Sequence, residues 1–257
     1  MSRIRVVLPL AIVALAACKK EAPREPAPAA PSAAAPAPTA APAAKGATGG
    51  GSITGAVKLT GAPPEMALTK RQADPYCAKT PMKEEEVIVG PGGGLKNVIV
   101  RITAGVTGHY DPPATPASVD QQACMYRPRV QGIVLGQPLK VTNSDQTLHN
   151  IHGYKGASTL FNQAEVPGLP PMTKQLNDAD QIVKLKCDVH PWMTAYVLVS
   201  SHPYFAVTGD DGTFKIPGVP PGSYTVEAWH ERYGAKTAQI TVAGDKPAEA
   251  AFQFEAK

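Results

Sequence analysis

The sequence is poor in aromatic residues, in helix signals and in long apolar runs. Only two Trp, five Phe and eight Tyr occur among its 257 residues. No block of basic residues is interleaved with them, which argues against a nucleic-acid partner. Beyond the N-terminus the apolar residues come in short runs bounded by Gly, Pro, Asn and Asp, with 23 Gly and 27 Pro in all. Such punctuation disfavours long amphipathic helices and predicts strands joined by turns. The expected class is all-β, and the length allows one large domain or two small ones.

The single extended apolar run, Val6 to Ala17, follows Arg3 and Arg5. It has the form of a secretory signal and is too short to span a bilayer as an ordinary helix. It ends in Leu15-Ala16-Ala17-Cys18, which resembles the lipobox of bacterial lipoproteins, and the resemblance implies cleavage at residue 18 and lipidation of Cys18. Lys19 follows, which by the same resemblance favours the outer membrane. Losing residues 1–18 removes Arg3 and Arg5 and no acid, so the formal charge falls from +4 to +2. Residues 19–50 are Ala/Pro-rich and then Gly-rich, with almost nothing to bury, and are expected to form a solvated tether. In extended polyproline form, at about 3.1 Å per residue, it would hold the folded part several tens of ångströms from a membrane.

The folded part reads as strands. "GSITGAVKLTG" and "NVIVRITAG" alternate apolar and polar residues and end at glycine. In "QIVKLKC", Val183, Leu185 and Cys187 share one face, opposite Lys184 and Lys186, so Cys187 points into a core. The turn "DVHPW" would then swing His190 and Met193 back beside Cys187, stiffened by Pro191. Upstream, "TNSDQTLHNIH" offers His149 and His152, which face opposite ways if the segment is extended. Taking His149 with Cys187, His190 and Met193 gives two imidazoles, a thiolate and a thioether, the ligand types of a blue-copper electron-transfer site. Two other uses stay open: tetrahedral zinc on His149, His152, Cys187 and His190, and a buried free cysteine beside structural histidines.

"TNSDQTLHNIH" followed about forty residues later by "CDVHPWM" resembles the cupredoxins, and the short Cys-x-x-His-Pro-x-Met loop is most similar to amicyanin. The resemblance covers roughly residues 118–200. It implies a Greek-key sandwich with copper (Cu+/Cu2+) held by His149, Cys187, His190 and Met193. By the same carry-over the backbone N–H of Asn150 bonds the ligand sulfur and Asn143 braces the ligand loops. It also implies an apolar electron-exchange patch of His190, Pro191 and Trp192, with a redox partner such as a c-type cytochrome or periplasmic oxidoreductase. With Cys18 lipidated and Cys187 on the metal, Cys77 and Cys124 remain as one possible disulfide in an oxidising compartment.

"TGDDGTFKIPGVPPGSYTV" has a hairpin turn at Asp211-Gly212 and a Pro-Pro-Gly turn at Pro220 to Gly222. It resembles the carboxypeptidase regulatory-like, transthyretin-related β-sandwich, whose usual opening strand is matched by "GSITGAV" far upstream. The expected organisation is therefore a signal peptide (1–18), a tether (19–50), a regulatory-like sandwich in two pieces (51–110 and 201–257) and a cupredoxin-like copper domain (111–200) between them. No catalytic set is evident. Trp229 and Tyr224 read as core and His230 as a turn residue. The expected function is an exported, lipid-anchored copper protein that shuttles single electrons at the periplasmic face of a bacterial envelope. Copper delivery without electron transfer, or a structural envelope-binding lipoprotein, are the alternatives.

Overall fold

The computed structural model describes residues 50–244 and 246–256. Cys18, the signal-like segment and the tether lie outside the described residues. Within them the regular structure is sixteen strands and two single turns of 3-10 helix, so the fold is all-β as the sequence predicts.

Two β-sandwiches account for the strands. In the first, β1 (Gly51–Thr60) lies between β13 (Thr213–Val219) and β16 (Ala248–Glu255). It runs antiparallel to β13 and parallel to β16. The facing sheet has the order β12 (Phe205–Val207), β2 (Ile99–Ala104), β14 (Gly222–His230), β15 (Gly234–Val242). Along β14 the period-two pattern buries Tyr224, Val226 and Ala228 and leaves Thr225 and Glu227 half-buried. These side chains meet Ile53, Val57, Ile216 and Phe252 in one core. The turn at Asp211-Gly212 forms, with Gly212 at φ 75°. It differs from the hairpin expected, because the strands it joins, β12 and β13, belong to different sheets.

The second sandwich pairs a five-stranded sheet with a four-stranded one. The larger has the order β5 (Val130–Val134), β11 (Thr194–Ser200), β10 (Gln181–Lys186), β7 (His149–Lys155), β8 (Ser158–Glu165). The smaller has β4 (Met125–Arg127), β3 (Ala117–Gln122), β6 (Leu139–Asn143), β9 (Met172–Lys174). Val119, Val141, Ile151, Val183, Leu185 and Val197 fill the space between them. Cys187 and Met193 lie at the edge of the same cluster in sequence and are as buried as the rest of it.

A third apolar cluster joins the sandwiches. Strand β11 is buried on both faces: Ala195, Val197 and Val199 face the second core, while Leu198 packs with Ile99, Val134, Phe205 and Val207. A strand covered on both sides reads as a continuous apolar run, and "AYVLV" does.

Candidate metal centre

The centre is assembled where β7 begins and the β10–β11 connection turns. The inward alternation of Val183 and Leu185 continues to Cys187, which is 1 % exposed. The connection closes through the N–H of Met193 donating to the carbonyl of His190 (2.9 Å) and that of Cys187 donating to the carbonyl of Met193 (3.3 Å). It thereby delivers His190 beside Cys187, whose sulfur accepts the His190 backbone N–H at 3.4 Å. Antiparallel pairing of β7 with β10 brings the start of β7, and with it His149, to the same end.

His149, Cys187 and His190 are buried, and one donor atom from each lies within 4.8 Å of the others. The Nδ1 atoms of His149 and His190 face each other at 2.8 Å, and the Cys187 sulfur is 3.8 Å from His190 Nδ1. Met193 is fully buried in the cluster that contains Cys187. Both imidazoles are held from behind by carboxylates. His149 Nε2 donates to Asp145 Oδ2 at 2.9 Å, and His190 Nε2 donates to Asp74 Oδ2 at 3.0 Å. With the Nε2 protons so engaged, both Nδ1 lone pairs point into the same space. Two lone pairs at that separation repel unless a proton or a metal ion lies between them, and a thiolate beside them completes a soft, electron-rich pocket.

The electrostatics agree. Burial alone would raise the Cys187 thiol, yet the adjoining imidazoles of His149 and His190 and the backbone N–H groups of Asn150 and His190 outweigh it and hold the pKa at about 6. Burial acts to lower His149, but Asp145 and Cys187 more than compensate and raise it. Burial acts to raise Asp74, but the Thr147 hydroxyl, the N–H groups of Cys77 and Tyr76 and the His190 ring bring it down to about 2. The thiol is thereby poised as the thiolate that metal ligation requires near neutral pH, while the raised pKa of His149 sets a proton in competition with a metal for its ring.

Around the ligands, Asn143 accepts the N–H of Asp145 (3.0 Å) and donates to the carbonyls of Thr147 (3.0 Å) and Glu165 (2.7 Å), tying the loop before His149 to the end of β8. Asn150 accepts the N–H of Asp188 at 2.6 Å, which fixes the start of the Cys187 turn. His152 turns away from the centre and bonds Asp188 at 2.9 Å, so the four residues of the tetrahedral zinc alternative are not brought together. Cys77 and Cys124 form a disulfide.

The patch of His190, Pro191 and Trp192 differs from the expectation. His190 is only 2 % exposed, because Asp74 and Cys77 cover its outer edge, with Cys77 Sγ 3.8 Å from Nε2. Trp192 is half-buried, donates to the Cys124 carbonyl at 3.0 Å and packs on the His190 ring, with centroids 5.0 Å apart. Pro191 alone of the three is exposed. The covering segment comes from residues 61–98, whose sequence carries no pattern that would assign it to this place. Sequence reasoning missed both carboxylates. Asp145, four residues before His149 in a polar turn, was within reach of local inspection; Asp74, 116 residues from His190, was not.

Residues 190–255 match the family described as the carboxypeptidase regulatory-like domain. The C-terminal part of the chain thus has the regulatory-like family likeness. The match takes in β11 to β16 and leaves out β1 and β2, which pair with them. No curated protein matches the chain in sequence. Among solved structures, a purple cupredoxin from Nitrosopumilus maritimus is 25 % identical over 33 % of this chain and 99 % of its own, with a TM-score of 0.29. Amicyanin from Paracoccus versutus is 19 % identical over 39 % of this chain and 97 % of its own, at 0.31. A Cu-containing nitrite reductase from Thermus scotoductus is 16 % identical over 38 % of this chain and 25 % of its own, at 0.31. Both kinds of match are to families the sequence resembles. The donor atoms of the centre, not these likenesses, carry the functional reading.

Proposed function

We propose that the chain is an exported, lipid-anchored type 1 copper protein that passes single electrons between redox partners in a bacterial envelope. The observation that carries this reading is the pair of Nδ1 atoms 2.8 Å apart, each backed by a carboxylate on Nε2, beside a buried thiol whose pKa is lowered to about 6. His149, His190 and Cys187 would hold the ion, with Met193 as the weak axial ligand. Copper would supply a one-electron couple. The protein's part is to keep the imidazoles and the sulfur in one arrangement through both oxidation states, and the closed 187–193 turn, Asn143, Asn150 and the two carboxylates supply that rigidity. The lipobox-like Cys18 and the tether support attachment at the periplasmic face, and the small formal charge supports a protein partner such as a c-type cytochrome over nucleic acid.

Titration of the full-length chain with Cu(II), followed by visible and EPR spectra, tests the reading. A strong thiolate-to-copper absorption at one equivalent, abolished by Cys187→Ala, is expected. Uptake without that absorption, or absorption that survives Cys187→Ala, overturns it. The covered edge of His190 favours a second reading, in which copper is held and delivered without electron transfer. Reversible one-electron voltammetry with rapid exchange to a c-type cytochrome decides for the first; its absence in a loaded, folded protein decides for the second.

A further inference from the structure

Residues 67–84 leave the first sandwich, reach the candidate metal centre and return as a closed loop. Its neck is tied by the Glu84 N–H donating to the Ala67 carbonyl and the Thr69 N–H donating to the Met82 carbonyl, both at 2.8 Å. Its tip is fastened to the second sandwich in three ways. The Cys77–Cys124 disulfide is one. The buried Arg71 guanidinium is another, donating to the carbonyls of Ala123 (2.8 Å) and Cys124 (3.4 Å). The third is the Tyr76 hydroxyl, which donates to Asp145 at 3.3 Å. Asp145 in turn accepts the backbone N–H groups of Ala123 (2.8 Å) and Cys124 (2.7 Å) while it holds His149.

Asp74 sits at the tip of this loop with every oxygen committed. Its Oδ1 accepts the N–H groups of Tyr76 (2.7 Å) and Cys77 (3.1 Å). Its Oδ2 accepts the Thr147 hydroxyl (2.7 Å) and the Nε2 proton of His190 (3.0 Å). A carboxylate whose lone pairs are fixed in this way leaves the imidazole a single tautomer and a single ring plane, with Nδ1 turned toward Cys187 and His149.

We infer that residues 70–81 are a clamp on the metal centre, with Asp74 the positioning residue for His190 and the Cys77–Cys124 disulfide its fastening. The inference rests on the copper reading above. A second imidazole left open to water can swing away from the ion; this one is locked and shielded, so bound copper leaves slowly and the His190 side of the centre is closed to direct partner contact.

The test uses the full-length chain loaded with copper, reduced to Cu(I) and mixed with an excess of a Cu(I) chelator, with the release rate as readout. Asp74→Ala is expected to keep the thiolate-to-copper absorption but to release copper about 10- to 100-fold faster, with an altered EPR hyperfine pattern in the oxidised form. Asp74→Asn, whose one amide oxygen can still accept the Nε2 proton but whose NH2 then faces the Tyr76 and Cys77 N–H groups, is expected to release copper at a rate between those of Asp74→Ala and the unsubstituted chain. The paired change Cys77→Ser with Cys124→Ser is expected to accelerate release as well. Thr147→Val, which removes only the hydroxyl that fixes Oδ2, serves if Asp74→Ala does not fold and should give a smaller acceleration. Release from Asp74→Ala or Thr147→Val at the unsubstituted rate, with the absorption intact, overturns the clamp and leaves the copper reading standing. Absence of the absorption in the unsubstituted chain overturns the copper reading and the clamp with it.

Discussion

Cys187, His190 and Met193 announce themselves because a single seven-residue turn carries all three, and His149 because it closes a polar turn before a strand. Their partners do not. Asp74 reaches His190 through a tertiary contact that no local period encodes, and the burial of His190 follows from a disulfide between residues 47 apart in sequence. His230 makes the same point in the first sandwich. It reads as a turn residue, yet it is fully buried at the end of β14. Its Nδ1 accepts the Arg232 N–H at 3.2 Å, which leaves a protonated Nε2 without a partner. Burial first, then the charges of Arg129 and Arg232, lower its pKa to about 4. The unfolded chain, with His near 6.5, then binds a proton between about pH 6.5 and pH 4 that the folded chain refuses. Stability is full above that window, falls as the pH drops through it and levels off below. Relative to His230→Phe, the unsubstituted protein should lose about 2 kcal/mol between pH 7 and pH 5 in urea unfolding. Parallel pH dependences for the two proteins would show that His230 is not the group responsible.

At the scale of elements, period-two alternation was enough to place β10 and β14 and to phase Cys187. It could not say which strands pair, since β1 lies parallel to β16 almost two hundred residues away. The unbroken apolar run of β11 marks a strand covered on both faces, but not that its second cover is the other sandwich, which is why its role as the joint was not legible. The joint also depends on what β5 lacks. An ideal Cβ on Gly132 would collide with Cε2 of Phe205, a side chain only 2 % exposed and enclosed by the third cluster. The ring has nowhere to go, so Gly132→Ala should cost about 1–3 kcal/mol in equilibrium unfolding. Adding Phe205→Leu should return part of that loss, because the smaller side chain leaves room for the methyl group. A pair of effects that simply adds would mean that the two residues do not compete for space.

At the scale of the whole molecule, the two sandwiches of the described residues meet through apolar packing and an ion pair withdrawn from water. Arg129, between β4 and β5, meets both oxygens of Glu231, just beyond β14, at 2.7 and 2.8 Å. The two side chains are 8 % and 6 % exposed. Arg129 also donates to the Thr194 carbonyl at 3.2 Å, at the first residue after Met193, so the joint abuts the ligand turn. Desolvation offsets much of the attraction in a buried pair, but removing one partner strands the other charge in a dry site. Glu231→Ala should therefore destabilise the folded chain by roughly 3–5 kcal/mol, while Arg129→Met combined with Glu231→Leu should restore most of it. Chemical unfolding of Arg129→Met, Glu231→Leu and the double variant gives the coupling directly. A double variant as unstable as the sum of the singles would show that Arg129 and Glu231 act independently, whereas recovery would show that the pair adds little to cohesion and leave the stability of the joint to the packing of Ile99, Leu198 and Phe205.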